Sequence, residues 1–489
     1  MPLTSATYEE VECNDPTLQE ILVALSFALD LTEGAVPGHT IRSCLLAVRI
    51  AIAEGLDARV ISDLYYACLL KDVGCSSNSA RMCQIVGGDD RIVKSGAKLA
   101  DWTRPFRPKL STLKLLWEQV LPGASMLKKS ARIAKLAANQ HKNNRELIEL
   151  RCDRGAMIVQ KLGLGHGAAV GVRHLDEHWD GGGYPAGLKG SNISIVSRLM
   201  GIAQHLDVFC MEQGPQAAID TLVERSGRWF DPVLTAAAVS LDKSRRLFPS
   251  CLPYDPIDDT RTAILRLNPE GQTRLSELDI DSICETFADV VDAKSPFTYR
   301  HSIGVMDAAV AIGTVLGLPA NRMQTLRRAA LLHDLGKLAI SNTILDKPTK
   351  LTPEEFAIVK THPGLSAEIL SSIGAFRKIA ILAGEHHEKL DGSGYPAGLC
   401  GKQLSLESRL LAVADVYGAL SEKRPYREAL APAQIAAIMD RDVPAKLDGE
   451  CYEALRTLMA NGTLPVNSYQ LPMEERWSIP DFEAVEVYI

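Results

Sequence analysis

The chain has 489 residues, with 53 Lys and Arg against 60 Asp and Glu for a net charge of −7, and it is 46% hydrophobic and 23% charged. That length calls for two or three domains, each large enough to fold without disulfides or structural metals. The acidic balance excludes a protein that binds a nucleic acid polymer over its whole surface, so an anionic ligand needs a local basic pocket. The longest apolar runs, such as 45–53, are short and interrupted, well below the ~18 residues of a spanning helix. There is no basic-then-apolar leader pattern and no C-x-x-C pair among the eleven scattered Cys. The expectation is a cytoplasmic chain with reduced thiols, no membrane segment and no zinc knuckle.

The chain repeats itself. DGGGYPAGL at 180–188 returns as DGSGYPAGL at 391–399, an offset of 391 − 180 = 211. LLKDVG at 69–74 returns as LLHDLG at 331–336, an offset of 331 − 69 = 262. The difference, 262 − 211 = 51 residues, places an insertion in the first copy between about 77 and 145. The organisation is thus a first unit within 1–265 and a second within 270–489 that ends in a tail. PSCLPYDPIDD (249–259) leads into the join. Two locally basic stretches lie in the insertion, RPFRPKL (104–110) and KKSARIAKLAANQHK (128–142), read as an interaction surface or a solvated helix face.

In the second copy the elements read as helices. Ile303, Met306, Val310 and Ile312 form one stripe over 301–316, and Leu326, Ala329, Ala330 and Leu332 form another over 326–334. Thr352, Pro353 and Glu355 make a capping-box start. Ala375 to Leu382 runs apolar into His386, and 405–420 is a further helix. Strand signals are weak and short. The fold class is all-α: two tandem helical bundles.

The second half holds five His, at 301, 333, 362, 386 and 387. Asp334 adjoins His333, and Asp415 lies inside an apolar helix, where a carboxylate is costly unless paired or bound to metal. Imidazoles and carboxylates on facing helices of a bundle build metal sites. Seven such groups exceed the about six ligands of one ion, so two ions with Asp334 as the bridge are expected. His386 and His387, ~100° apart around a helix, could face different ions. Ligands of this type suit Fe, Mn, Ni or Zn, with iron or manganese expected first. Two nearby ions activate water and clamp a phosphoryl group. Lys337, three residues beyond Asp334, can neutralise a phosphate oxygen or be a solvated helix-end lysine. Arg424 and Arg427 can form the basic pocket or a surface pair. In DGSGYP (391–396), Gly392 and Gly394 allow tight turns, and Tyr395 can contact a base or a partner, or the loop is simply a turn.

Taken together, His301, HDLGK (333–337), THP (361–363), HHE (386–388), DGSGYP (391–396), VADVY (413–417) and RPYR (424–427) resemble the HD-GYP family of bacterial signalling phosphodiesterases. The resemblance implies two HD-type bundles and metal-dependent hydrolysis of cyclic di-GMP to pGpG or GMP. Related members cleave cyclic GMP-AMP. It also implies metal ligands at His301, His333, Asp334, His362, His386, His387 and Asp415, with Asp334 and Lys337 catalytic. Lys337, Arg424, Arg427, Gly394 and Tyr395 would contact substrate, and the GYP loops could engage a signalling protein. Two positions depart from the family. Phe297 stands where some members carry a Glu that helps hold a third metal, so two metals are expected. Gly418 stands where the family commonly has Asp, which could loosen substrate contacts.

At the matching positions the first copy reads His39, Lys71, Asp72, Arg151, Leu175, Asp176 and Gln204. Lysine and arginine at ligand positions repel a divalent ion, so no catalytic metal is expected there. This copy then serves in packing or regulation, or senses a nucleotide through Lys71 and Arg151. For the whole chain, a non-catalytic signalling adaptor and a general nucleotide phosphohydrolase are the competing readings. The full ligand set at 301–415 argues against the adaptor.

Overall fold

The computed structural model describes residues 16–101, 110–267, 275–298, 300–423 and 427–464. Among these residues the chain is helical with two isolated β-bridges and no named strand, the all-α class that the periodicities indicate. No described helix is long and apolar enough to cross a membrane.

Each copy opens in the same way. The helix Leu18–Thr32 ends near Asp30, whose carboxylate accepts the backbone N–H of Gly38 at 2.8 Å and that of Thr40 at 3.0 Å. The helix Glu277–Asp292 ends on Asp292, which accepts the Ser302 N–H at 3.0 Å and its hydroxyl at 2.8 Å. A buried carboxylate thereby satisfies orphan donors at the start of the next helix, His39–Ala53 or His301–Val315. It also fixes where the first histidine of each site enters the bundle. Thr352 caps Pro353–Val359, with Glu355 closing the box, as the sequence pattern indicates.

The two copies share one apolar core. Leu18–Thr32 packs on the 3-10 turn Leu335–Ala339 and the helix His362–Ser371 of the second copy, while Glu277–Asp292 packs on the turn Cys75–Asn78 of the first. The join is therefore reciprocal. The insertion adds a second contact. Asp90, at the start of Asp90–Leu99, is fully buried and accepts the Asn342 N–H at 3.0 Å and the Ser341 hydroxyl at 3.1 Å. Lys294 Nζ lies 3.6 Å from the same carboxylate, and Arg91 donates to the Ala339 carbonyl. The basic stretch 128–142 spans parts of the helices Met126–Ala138 and Gln140–Lys161, and the former has no buried residue. Lys128, Lys135 and Lys142 of this stretch are exposed, while Ile133 and Leu136 line a cavity. Residues 104–109 lie outside the described residues.

Candidate metal centre

Five helices and their ends carry the site. His301 opens His301–Val315, and His333 caps Ala320–Leu332. His362 opens His362–Ser371, His386 caps Arg377–Glu385, and Asp415 lies within Leu406–Ser421. Histidines at helix ends point into the bundle without interrupting the apolar stripes that pack it. His301, His333, Asp334, His362 and His386 are each at most 2% exposed.

All seven expected ligands converge, and Asp334 lies between them. Its Oδ2 is 3.5 Å from His301 Nε2 and 3.3 Å from His333 Nε2. Its Oδ1 is 3.2 Å from His362 Nε2 and 3.9 Å from His386 Nε2. Asp415 Oδ1 joins the first side, 3.3 Å from His301 Nε2, and its Oδ2 is 3.6 Å from His387 Nδ1. Ligand atoms of His301, His333 and Asp415 lie within 4.8 Å of one another, and those of His362, His386 and His387 do the same. His386 also groups with His333 and Asp334, while His387 Nδ1 lies by Asp415, so the two adjacent rings reach different partners.

Each ring is aimed by its other nitrogen. The Nδ1 atoms of His333, His362 and His386 lie 2.7 Å from the carbonyls of Ala330, Val359 and Ala383, each three residues back. A donor bond there fixes the tautomer and turns the Nε2 lone pair inward. His301 Nδ1 instead meets the carboxylate of Glu422 at 3.0 Å. Among the described residues, buried His333 Nε2 and Asp334 Oδ1 have no hydrogen-bond partner. That is costly for buried polar atoms unless a cation completes the set. The donor set therefore fits divalent metal.

The electrostatics agree. Burial alone would raise the Asp334 carboxyl, but His333 and Lys337 hold it well below the usual range. His333 is penalised by burial, yet the Asp334 carboxylate pushes it up to about 10. Burial drives His387 down to about 3 and His386 well below its ordinary value. The latter pair is neutral and ready to bind metal.

The expected substrate contacts separate into three kinds. Lys337 donates from the cluster's edge to Asp334 and remains partly exposed. Tyr395 lies against His387, ring centroids 4.8 Å apart, with Lys360 Nζ 5.5 Å from its ring centre. Arg427 departs from the sequence reading of a free cation: it donates to the carbonyls of Ala419 and Leu420 and closes the end of their helix. Gly394 also has a different role. A Cβ there would lie 2.5 Å from Glu388 Cα and Lys389 N, so glycine lets the loop press against the HHE backbone. Arg424 lies outside the described residues.

Sequence reasoning missed three side chains. Glu388, the third letter of HHE, accepts the N–H groups of Ala397, Gly398 and Leu399 and pins the GYP loop. Glu177 holds the first copy's loop in the same way, so its retention in both repeats was the available signal. Ser366 bridges the His333 carbonyl and the Gly336 N–H, and nothing in its sequence context marks it. Glu422 is the third.

At the matching place in the first copy, Lys71 pairs with Asp72 and Arg151 with Asp176. Glu33, Asp72 and Cys75 also cluster there, but Lys94 and Lys98 lie 3.4 and 3.1 Å from Glu33. Cations of the chain itself stand beside those carboxylates.

The HD domain profile matches residues 89–234 and 285–451. The chain is 37% identical over 461 residues to 3'3'-cGAMP-specific phosphodiesterase 3 of Vibrio cholerae, covering 93% of this chain and 97% of that one. A crystal structure of a cyclic GMP-AMP specific phosphodiesterase of V. cholerae superposes with a TM-score of 0.63 at 32% identity, over 94% of this chain and all of that one. A cyclic di-GMP phosphodiesterase of Pseudomonas aeruginosa is 40% identical over 197 residues, 40% of this chain and 44% of that protein. The chain belongs to the HD domain family. Within it, the chain is an HD-GYP phosphodiesterase.

Proposed function

We propose that the second copy hydrolyses a cyclic dinucleotide at a pair of divalent ions held by His301, His333, Asp334, His362, His386, His387 and Asp415. The observation that carries this reading is Asp334, whose two oxygens face separate histidine groups. Such a pair, once bound, supplies an activated water and positive charge for a phosphoryl group. The chain's own residues orient those ligands through backbone carbonyls and place the Lys337 ammonium beside Asp334, where it can offset charge growing on a phosphate oxygen. Iron or manganese is the metal to test first. Tyr395 over His387 offers a flat face on which a base can rest.

The full-length likeness to a cGAMP-specific enzyme favours 3'3'-cGAMP as the substrate. Cyclic di-GMP, the substrate first expected from the motifs, is the second reading, favoured by the shorter match to the P. aeruginosa enzyme. Metal-loaded protein is offered both dinucleotides in one reaction with chromatography of the products. Faster loss of cGAMP supports the first reading, and faster loss of cyclic di-GMP supports the second. Cleavage of ordinary nucleotides alone returns the chain to a general phosphohydrolase.

The first copy is read as a packing and regulatory unit with no catalytic metal. Its cavity of about 1000 Å³, away from the histidine cluster, is lined by apolar side chains together with Lys94, Lys98, Arg151 and Arg198. These cations already have carboxylate partners in Glu33, Asp176 and Asp231, which weighs against phosphate recognition there. The exposed Asp391, Ser393 and Pro396 of the second GYP loop leave room for a signalling protein as partner.

A further inference from the structure

Position 418 and its neighbours differ between the two copies as a set. In the first copy Asp207 lies 2.7 Å from His39 Nδ1 and 2.6 Å from Arg42 Nε. Ser43 sits beside them, its Oγ 3.5 Å from the same ring nitrogen. Since 39 + 262 = 301, 43 + 262 = 305, 207 + 211 = 418 and 211 + 211 = 422, the second copy replaces His39, Ser43, Asp207 and Met211 by His301, Val305, Gly418 and Glu422. The carboxylate has disappeared from position 418 and reappeared four residues later.

The geometry explains why it moved. A Cβ on Gly418 would lie 2.8 Å from Val305 Cγ2 and 3.5–3.6 Å from the His301 ring. The branched Val305 thus fills the space that Ser43 leaves open beside Asp207. Glu422, just past the end of Leu406–Ser421, reaches back with a longer side chain and sets both oxygens 3.0–3.1 Å from His301 Nδ1. Its side chain is 8% exposed and that of His301 1%. A buried carboxylate on the far nitrogen of a ligating imidazole fixes its tautomer and orientation and raises the basicity of the nitrogen that binds metal.

We infer that Glu422 is the positioning residue for the metal ligand His301, a relocated substitute for the aspartate absent from position 418. The inference rests on the two-ion reading above. Gly418 then does not loosen the site; it is the clearance that a Val305–Glu422 solution requires.

The test is Mn(II) uptake by the full chain after removal of metal with a chelator, followed as loss of the free-ion resonance signal. Wild type is expected to take up two ions. Glu422→Ala is expected to weaken one of the two by ~10–100-fold and leave the other unchanged, with Glu422→Gln in between. The triple variant Val305→Ser, Gly418→Asp, Glu422→Met returns the carboxylate to the first copy's position, without a counterpart of Arg42 because residue 304 is Gly (42 + 262 = 304), and is expected to recover affinity to within a few-fold of wild type. Glu422→Ala that binds both ions as wild type does overturns the inference. So does a folded triple variant as weak as Glu422→Ala, because Glu422 would then act through the fold alone. If the triple variant does not fold, the Ala and Gln variants decide, with loss confined to one ion as the supporting result and equal loss of both as the opposing one. Wild type that takes up no metal fails the two-ion reading itself.

Discussion

The carboxylate of Asp90, carried by the first copy's insertion, accepts the backbone N–H of Asn342 in the second copy at 3.0 Å. The contact is buried and lies three residues beyond the turn that carries Lys337. Asp90→Ala removes the acceptor for Asn342 and Ser341 and leaves Lys294 without its carboxylate. We expect a loss of about 2–4 kcal/mol, the range for truncating one partner of a buried polar network. Urea denaturation of the full chain measures it, and turnover should fall with it because the Lys337 turn loses its support.

His333→Ala and Asp334→Ala should each lower dinucleotide hydrolysis by at least ~10³-fold, since each takes a ligand or the bridge from a two-ion site. Elemental analysis should show less bound metal, and the circular dichroism spectrum should keep its helical form. Turnover like that of wild type would refute the enzymatic assignment of these residues.

Protons and metal compete at His333. Its folded value is raised from 6.5 to about 10 by Asp334 in the metal-free protein. Its contribution to metal-free stability is therefore complete below pH ~6.5 and is lost as pH rises through about 10. Melting temperatures of chelator-treated protein should decline across that window. Metal binding must expel the same proton, so affinity should climb over the same range, with proton release visible when calorimetry is repeated in buffers of different ionisation heat.

Gly394→Ala should destabilise the second copy by ~1–3 kcal/mol through overpacking, because the new methyl would meet backbone atoms of Glu388 and Lys389. The matching Gly183→Ala would meet backbone atoms of Asp176, Glu177 and His178 in the first copy. Limited proteolysis should report loosening of the 391–399 loop in the first variant and of the 180–188 loop in the second. Turnover should fall most in the first, whose loop abuts the histidine cluster.

The helical class, the twofold repeat and the seven side chains that converge were all legible in the sequence. Each leaves a mark that does not depend on distant neighbours: apolar period, self-similarity, and carboxylates or imidazoles set in apolar stripes. What escaped depends on contacts across the fold. Glu422 passed unnoticed because its partner is 121 residues away. Arg427 looked like a free cation because the helix end that absorbs its donors is a three-dimensional fact. Gly394 looked like a turn residue, whereas its small size serves a close approach between two loops. The cavity of the first copy had no sequence counterpart, since its walls come from the insertion and the bundle together.

The helix Leu18–Thr32 reaches into the second copy's turn as Glu277–Asp292 reaches into the first's. Two identical subunits meeting through an isologous contact have this arrangement. Joining them in one polypeptide ties the halves at a fixed one-to-one ratio. Here the half whose matching positions carry Lys71 and Arg151 still supplies the surface on which its sibling's turn and helix rest.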